Sequence, residues 1–356
     1  MVFGRLLLPA LLLLGPTASS PASDADWASY KNVFGKHYSS VNLERERRAA
    51  FEANMQFIQN LLQSPSTSSF QLGPTIFSDL SNEEYARRYL LHRVAQAGAK
   101  PPLRPRAMSN RSVSLPTSVD WRITGSVSAV IDQGECGACW AIATAGAIEG
   151  AVHIARLARN QTAALEPLSV QQWLECDYGP LDLDEGCQGG NIDSAMEFAK
   201  KTALCSAKSY AYTATDSGKC RQSTCDIVVP LHAVAGKKEI AQVPEILPAT
   251  EAELMEAVAN APVAAWIDAS SSIFQHYKSG VLKGTGCGSG KNHAVLIVGY
   301  GTDKSGDDYW LVKNSFGLNW GQDGYVLLKR GVQPSQRTGT CGILQWPTAV
   351  VLEKDF

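Results

Sequence analysis

The residues most able to do chemistry lie between Gln133 and Trp140, where two cysteines stand in a glycine-rich turn. Residues 140–158 are rich in Ala, Ile and Val and contain no proline, which predicts a buried helix beginning just after Cys139. A thiol at a helix N-terminus feels the positive end of the dipole, which favours the nucleophilic thiolate. The backbone N–H of Cys139 and the amide of Gln133 are candidate donors to an oxyanion. The segment therefore predicts a cysteine nucleophile with its own oxyanion site.

A nucleophilic thiol needs a base, and His293 is the one histidine of six that stands in a suitable motif. His293 opens a run of strand-like residues, and Asn314 ends another. An Asn side-chain oxygen can accept the imidazole Nδ1–H, which fixes the tautomer and the direction of the ring. Because Cys–His–Asn is an arrangement for acyl transfer, the three residues predict hydrolysis of peptide bonds.

Three other interpretations of Cys136 and Cys139 were weighed against this one. A redox CxxC pair would leave seven other cysteines, an odd number, and no thioredoxin-like βαβ pattern precedes it. A zinc site would need a second closely spaced Cys or His pair, which the sequence lacks. A buried, inert Cys139 fits the turn–helix context poorly. We therefore expect neither a metal nor a cofactor.

Composition sets the class of protein. The chain has 356 residues, enough for two or three domains, and 45% hydrophobic content, enough to bury real cores. Its net charge of −2 provides no field that would attract nucleic acid or an acidic membrane. Partners are therefore expected to be recognised at a site, and we expect a monomer that acts on proteins and peptides.

The N-terminus resembles a targeting segment. Arg5 precedes a short apolar run, Leu6–Leu14, and then small residues, which predicts a secretory signal over 1–20. The run is too short to span a bilayer, and a buried N-terminal helix is the alternative. All nine cysteines lie between Cys136 and Cys341, and an odd number leaves at least one thiol unpaired. We expect passage through the secretory pathway to a lysosome, a vacuole or the exterior.

The remainder divides at a linker. Residues 21–114 lack cysteine, and within Val41–Gln63 a mainly apolar helical face is predicted; its members are Arg47, Phe51, Met55, Ile58 and Leu62. Residues 97–114 are rich in Pro, Gly and Arg, which is typical of a linker open to processing. Capping boxes at Ser169 and Thr250 predict further helices, whereas short β-branched or aromatic runs follow from Val263 onward. The pattern predicts an α+β fold with two lobes, a helical one at about 124–225 and a β one at about 226–345.

The sequence resembles the papain-like cysteine peptidases of the cathepsin L type. Cys136–Trp140 matches the motif around that family's nucleophile, and further family landmarks occur at Asp120–Arg122, Gly186–Gly190, Gly299–Gly301 and Trp320–Gly321. The resemblance implies a papain-like fold with a helical left lobe, a β-barrel-like right lobe and a peptidase domain over 115–356. One departure is Phe316, where the family usually has Trp over the His–Asn pair.

The N-terminal segment resembles that family's inhibitory propeptide. Its interrupted helical motif matches at Arg47, Phe51, Asn54 and Ile58, and a second motif at Gly73, Phe77 and Asp79, whereas Leu43, Leu62 and Thr75 depart from the usual residues. The resemblance implies that residues 21–114 lie backwards through the cleft and block it until removed. The chain's own propeptide is thus an expected partner.

The sequence alone does not determine which cysteines pair, whereas the resemblance implies a complete set of pairs. It implies the pairs Cys136–Cys187, Cys176–Cys220 and Cys287–Cys341, with Cys205–Cys225 as a fourth and Cys139 left unpaired. Asn110 and Asn160 stand in glycosylation sequons, of which Asn160, at a helix end, is the better candidate.

The resemblance also implies which residues bind substrate. They are Gly189, Gly190, Asn191, Ile192, Trp266, Lys291, Ala294, Trp320 and Trp346. Relatives usually carry smaller residues where this chain has Trp266 and Trp346. If both rings point inward, the dominant pocket is narrowed and favours small or medium side chains, with Lys291 as a cation near its rim.

Together these observations predict an endopeptidase made as a zymogen. We expect acid to release the propeptide through protonation of Asp79, Glu83 and Glu84. A catalytically silent binding protein on the same scaffold is the alternative from another class. Exopeptidase activity is not expected, because no His-containing occluding loop is evident.

Overall fold

The computed structural model describes residues 22–63, 69–91, 114–161, 164–177, 184–241, 248–283, 286–331 and 337–354. The predicted signal at 1–20 and the sequon at Asn110 lie outside these residues, as does most of the linker at 97–114. Within the described ranges, no helix is both long enough and apolar enough to cross a membrane.

The N-terminal segment is mainly helical, as predicted. It forms α1 (Asp24–Phe34), α2 (Val41–Leu62), β1 (Phe70–Leu72) and α3 (Asn82–Tyr89). A serine side chain accepts an N–H of the first turn of each helix and so stabilises its start. The apolar face predicted for α2 is present in part, since Phe51 and Ile58 are buried whereas Leu62 is exposed. Phe51 packs against Trp27 and Tyr30, which joins α2 to α1.

The helical lobe is built around one central helix. Its elements are α4 (Cys139–Ala158), α5 (Val170–Cys176), α6 (Ile192–Lys201) and the hairpin of β3 (Leu204–Cys205) with β4 (Ile227–Val229). The helix α4 is buried from Cys139 to His153, as its Ala-rich composition predicts. Ser169 begins α5 by accepting the N–H of Gln172 at 3.0 Å.

The second lobe is a sheet with two helices. Its strands are β2 (Val119–Asp120), β5 (Val234–Glu239), β6 (Val263–Ile267), β7 (Tyr277–Leu282), β8 (His293–Thr302), β9 (Asp308–Lys313), β10 (Tyr325–Lys329) and β11 (Pro347–Leu352), and its helices are α7 (Glu251–Asn260) and α8 (Ser272–Gln275). The described strands follow the order β1-β7-β10-β9-β8-β6-β11-β5, with β2 paired to β8. The ends of this order do not pair, so the lobe is not the closed barrel that a barrel-like description suggests. The strand β1, from the N-terminal segment, extends the sheet beyond β7.

The central strands separate two cores. The strands β6 and β8 are antiparallel, with Ile267 opposite His293 and Trp266 opposite Ala294. Because side chains alternate along a strand, Trp266 and Ala294 face α4, whereas Ile267 faces the core of the β lobe. His293 is thereby placed at the start of β8, beside the N-terminus of α4.

Eight of the nine cysteines are paired. The bonds are Cys136–Cys187, Cys176–Cys220, Cys205–Cys225 and Cys287–Cys341, the same pairs that the resemblance implies. Cys139 is the free thiol. Asn160 is exposed in a left-handed conformation directly after α4, and its glycosylation stays a prediction.

Candidate active site

Cys139 is the first residue of α4. Ala138 precedes it and has no side chain that could cap the helix, so the first N–H groups of α4 remain available to a ligand. Backbone N–H groups of Ala294, Trp140 and Cys139 act on the sulfur, each favouring its anionic form. The predicted nucleophile therefore lies at the helix terminus and against the start of β8.

His293 and Asn314 form the second part of the site. Asn314 Oδ1 lies 2.7 Å from His293 Nε2 and accepts the N–H of Ser315 at 2.8 Å. The predicted pair is therefore present, but the ring nitrogen differs from our expectation, which was Nδ1. His293 Nδ1 is buried without a hydrogen-bond partner among the described residues. Because the amide oxygen can only accept, Nε2 carries the hydrogen and Nδ1 is left as the base.

Phe316 covers this pair. Its ring stacks on His293 with centroids 4.6 Å apart and an interplanar angle of 23°. Trp320 meets Phe316 edge-on from within the β lobe, and Phe77 of the N-terminal segment does so from outside. The smaller ring at position 316 is thus supplemented by an aromatic side chain of the N-terminal segment.

A buried polar network fixes the strand that carries Asn314. Lys313 Nζ donates to Ser128 Oγ at 3.0 Å, and that hydroxyl donates to Glu149 on α4 at 2.6 Å. Glu149 also accepts the N–H of Leu168 at 2.7 Å. Burial lowers the pKa of Lys313, and the charge of Glu149 opposes this. The network links the two lobes on either side of the site.

The sequence did not predict the protonation state of the closed site. Burial raises the pKa of the Cys139 thiol to about 12, although the neighbouring N–H groups lower it. Burial likewise lowers the pKa of His293 to about 4. In this closed form the thiol and the imidazole are both neutral near neutral pH, because exclusion of water outweighs the helix dipole.

Gln133, the predicted oxyanion donor, lies beside the turn that precedes Cys139. Its side-chain Nε2 donates to the carbonyl oxygens of Cys136 at 3.1 Å and Tyr89 at 3.2 Å. Its Oε1 accepts the hydroxyl of Ser315 at 2.6 Å, which orients the amide. In this closed form, the side-chain N–H of Gln133 therefore donates to the carbonyl oxygen of Tyr89, the last residue of α3.

The cleft is closed by three residues that the sequence did not single out, namely Tyr89, Leu90 and Leu91. Leu91 donates its N–H to the carbonyl of Asn292 at 2.8 Å, next to His293. A Cβ added at Gly137 would lie 2.7 Å from a methyl carbon of Leu91, so Leu91 rests on the turn before the nucleophile. Burial and hydrogen bonding thus place the end of the N-terminal segment across the site.

Gly189 and Gly190, which are predicted to bind substrate, lie against the residues on either side of Cys139, near Gly137 and Trp140. A Cβ at Gly190 would lie 2.5 Å from the Trp140 ring, so only glycine allows this approach. Asn191 begins α6 and donates its N–H to Asp184 at 2.6 Å. Gly189 and Ile192 flank these two residues, and Ile192 is fully buried.

The predicted pocket residues lie together. Trp266 is 2% exposed and belongs to the same core as Ala294 and Ile192, so its ring points inward. Lys291 Nζ lies 4.9 Å from the Trp266 ring centroid and 5.8 Å from that of Trp346. Trp320, by contrast, is fully buried behind Phe316.

Two buried carboxylates near Asn191, those of Asp177 and Asp184, predict how the stability of the protein depends on pH. Burial, and then the charge of Asp184, raise the pKa of Asp177 to about 9, and Asp177 Oδ2 has no hydrogen-bond partner among the described residues. The folded protein holds this proton more tightly than the unfolded chain does. The stability that the bound proton contributes is therefore fully present below about pH 4. It falls as pH rises toward 9, by up to about 1.4 kcal/mol per pH unit.

We expect Asp177→Asn to flatten that dependence and to stabilise the protein at pH 7 by about 1–3 kcal/mol, because the amide needs no proton. The measurement is the thermal midpoint from pH 4 to 8 in an inactive background. Asp226→Asn, at an exposed carboxylate, is the control. An equal pH dependence in Asp177→Asn and the parent would contradict the assignment.

Comparisons with known proteins show the family to which this chain is similar. The sequence profile described as "Papain family cysteine protease" matches residues 115–351, and that described as "Cathepsin propeptide inhibitor domain (I29)" matches residues 27–85. "Thiol protease SEN102" of Hemerocallis sp. is 34% identical over 355 residues, which cover 96% of this chain and 92% of that protein.

Solved precursors have the same fold. "Recombinant stem bromelain precursor" has a TM-score of 0.77 at 30% identity and covers 93% of this chain and 99% of its own. Digestive procathepsin L 3 of Tenebrio molitor larval midgut has a TM-score of 0.72 at 32% identity, with 92% and 98% covered. The protein is a cysteine protease made as a zymogen with an inhibitory propeptide. It belongs to the papain family.

Proposed function

We propose that this protein is an endopeptidase in which Cys139 attacks the peptide bond. His293 Nδ1 accepts the thiol proton and donates it to the leaving amine, while Asn314 holds the ring. Water then breaks the thioester bond to Cys139, which releases the acid and restores the thiol. Gln133 and the Cys139 N–H stabilise the oxyanion. One observation carries the proposal: the single unpaired thiol lies at the N-terminus of α4, beside a buried His–Asn pair.

The proposed precursor has three segments. Residues 1–20 are a secretory signal, residues 21–114 an inhibitory propeptide and residues 115–356 the peptidase, which acts as a monomer. Four disulfides suit an oxidising compartment, so a vacuole, a lysosome or the exterior is the proposed location. Residues Tyr89–Leu91 are the part of the propeptide that blocks the cleft.

We expect maturation of the precursor to accelerate in acid. Glu84 is hydrogen-bonded by Arg47 and Arg88, and Arg47 in particular lowers its pKa. Arg88 in turn contacts Glu135, beside Cys136 of the mature domain. A carboxylate with a lowered pKa stabilises the fold above about pH 4.5, and this stability is lost as pH falls through its folded pKa. Asp79 contacts Tyr30, Lys36 and Tyr38, all within the propeptide, so it stabilises the propeptide itself and not its contact with the peptidase.

The test is purified precursor held at pH 4 and at pH 7, followed by intact-mass analysis and assay on a peptide library. The proposal expects loss of a fragment of propeptide size at pH 4 and cleavage within peptides rather than at their ends. Equal maturation at both pH values would contradict the acid mechanism. A folded, acid-treated protein that cleaves no peptide would favour the silent binding protein instead.

We also propose that the dominant substrate pocket is narrowed by Trp266 and Trp346. The inward position of Trp266 and the ammonium of Lys291 over both rings support a short pocket with a positive rim. Small or medium side chains are expected to fit, whereas Phe and Leu are disfavoured.

Shortening these side chains is expected to move the preference toward bulky residues. In Trp346→Ala and Trp266→Val, we expect kcat/KM for Phe and Leu at that subsite to rise about tenfold or more relative to Ala, since one or two methylenes are worth about 1–3 kcal/mol. Library profiling of the mature enzymes measures this, with Lys304→Gln, an exposed lysine outside the pocket, as control. A parent profile that already prefers aromatic residues would refute the narrowed pocket.

A further inference from the structure

His276 lies where the propeptide meets the β lobe, at the junction of α8 and β7. Its side chain is fully buried. Its carbonyl accepts the N–H of Gly73 at 3.0 Å, and the preceding carbonyl, of Gln275, accepts the hydroxyl of Thr75 at 2.9 Å. Phe57 on α2 packs against the imidazole, with centroids 6.5 Å apart. The propeptide is therefore hydrogen-bonded to the backbone at Gln275 and His276, and it covers the imidazole ring.

The ring has only one hydrogen bond. His276 Nδ1 lies 2.9 Å from the carbonyl oxygen of Ser272, which can only accept, so Nδ1 carries the hydrogen. The other nitrogen, Nε2, is buried without a partner among the described residues. A proton added at Nε2 would create a buried cation whose new N–H has no acceptor, which is a costly arrangement. Burial accordingly lowers the pKa of His276 to about 4.

The surrounding elements supply no compensating negative charge. Residues 53–63 of α2 and 69–77 around β1 contain no charged side chain, and neither does α8. On β7, Tyr277 donates its hydroxyl to the carbonyl of Gly280, and burial raises its pKa, so it stays neutral. Lys278 is the nearest charged residue in sequence, and its side chain packs on Gly73. These neighbouring elements therefore bring no carboxylate to a protonated ring.

We propose that His276 makes this surface of the mature domain a proton-dependent docking site for the chain's own propeptide: the neutral ring accepts the propeptide, and the protonated ring expels it. This rests on the proposed zymogen function and adds a sensor on the peptidase side of the contact. With the propeptide lifted away, Phe57 and Gly73 no longer shield the ring from water.

The direction of the effect follows from linkage. An exposed histidine has a pKa of about 6.5, whereas the docked one is lower, so the undocked state binds more protons between these values. Acidification from about pH 6.5 to 4 then weakens docking by up to about tenfold per pH unit. Carboxylates such as Glu84 act only below about pH 4.5, so the two mechanisms operate in different pH ranges.

The test uses full-length precursor carrying Cys139→Ala, which cannot process itself. Hydrogen exchange of the β1 amides, corrected for the intrinsic rate, reports undocking from β7 between pH 7 and 4. We expect opening in the parent to rise by nearly tenfold per pH unit below 6.5. His276→Gln and His276→Phe should lose most of that rise above pH 4.5. His37→Gln, at an exposed propeptide histidine, should keep it.

Two results would overturn the proposal. One is an unchanged pH dependence in both His276 variants, provided that their α4 amides are protected like those of the parent at pH 7. The other is an NMR titration in which His276 has the same pKa in the closed precursor and in the mature enzyme. Neither readout needs catalysis, so a lack of peptidase activity, which would refute the proposed function, would leave both measurements interpretable.

Discussion

Replacing Cys139 by alanine is expected to abolish peptide hydrolysis, with kcat reduced by about five to six orders of magnitude. The nucleophile itself is lost, and no other thiol can replace it because the remaining eight cysteines are paired. The precursor should stay at full length when acidified alone. It should still be cut by a trace of active enzyme, since its linker is unchanged.

The measurement combines steady-state kinetics with labelling by an epoxide-type thiol reagent. One label per molecule is expected in the acid-matured parent, and none in Cys139→Ala. Cys139→Ser, which keeps a hydroxyl of similar size, is the matched control for packing and should be almost equally inactive. Retained hydrolysis in folded Cys139→Ala, or a parent whose Cys139 is found in a disulfide, would refute the assigned chemistry.

The propeptide does more than cover the nucleophile. In the closed form, burial keeps the thiol and the imidazole neutral, with pKa values displaced in opposite directions, and Leu91 and Phe77 of the propeptide contribute to that burial. When Leu91 leaves, water reaches the sulfur, and the N–H groups of α4 can stabilise a thiolate. The lowering of the thiol pKa that the sequence predicts from the helix dipole is therefore expected only in the opened enzyme.

Local patterns predicted the parts of the structure that depend on nearby residues. The Ala-rich run became α4, and the β-branched runs became β6, β8, β9 and β10. The capping box at Thr250 and Glu253 begins α7 with both reciprocal hydrogen bonds. The candidate catalytic residues could be chosen because a turn before a helix and the end of a strand can be recognised in the sequence.

Long-range features could not be predicted in the same way. The pairing of β1 with β7 joins segments about 200 residues apart, and nothing in Phe70–Leu72 specifies its partner. The choice of Nε2 over Nδ1 on His293 depends on how the imidazole is oriented against Asn314 and Phe316, which no local pattern specifies. The proton held by Asp177 depends on the neighbouring charge of Asp184 and on burial, neither of which composition reveals.

Gln133→Ala is expected to lower kcat by about 10²–10³, with little change in KM. The reason is geometric: Gln133 Nε2 already donates to the carbonyl oxygen of Tyr89, and an oxyanion formed at Cys139 would use the same donor. Gln133→Glu is the matched variant, since it keeps an acceptor for Ser315 but loses the N–H donors. Both variants should be similarly slow.

Alkylation separates this role from a structural one. Attack of the thiolate on iodoacetamide creates no oxyanion, so its rate in the matured Gln133 variants should stay within about threefold of the parent, because the thiolate itself is unchanged. A parallel collapse of alkylation and hydrolysis would instead mean that Gln133 merely holds the turn. Because Tyr89 occupies the donor in the precursor, Gln133→Ala should also mature faster when a trace of active enzyme is added. That result would mean that the propeptide carbonyl of Tyr89 and the oxyanion of the transition state compete for the same N–H donor of Gln133.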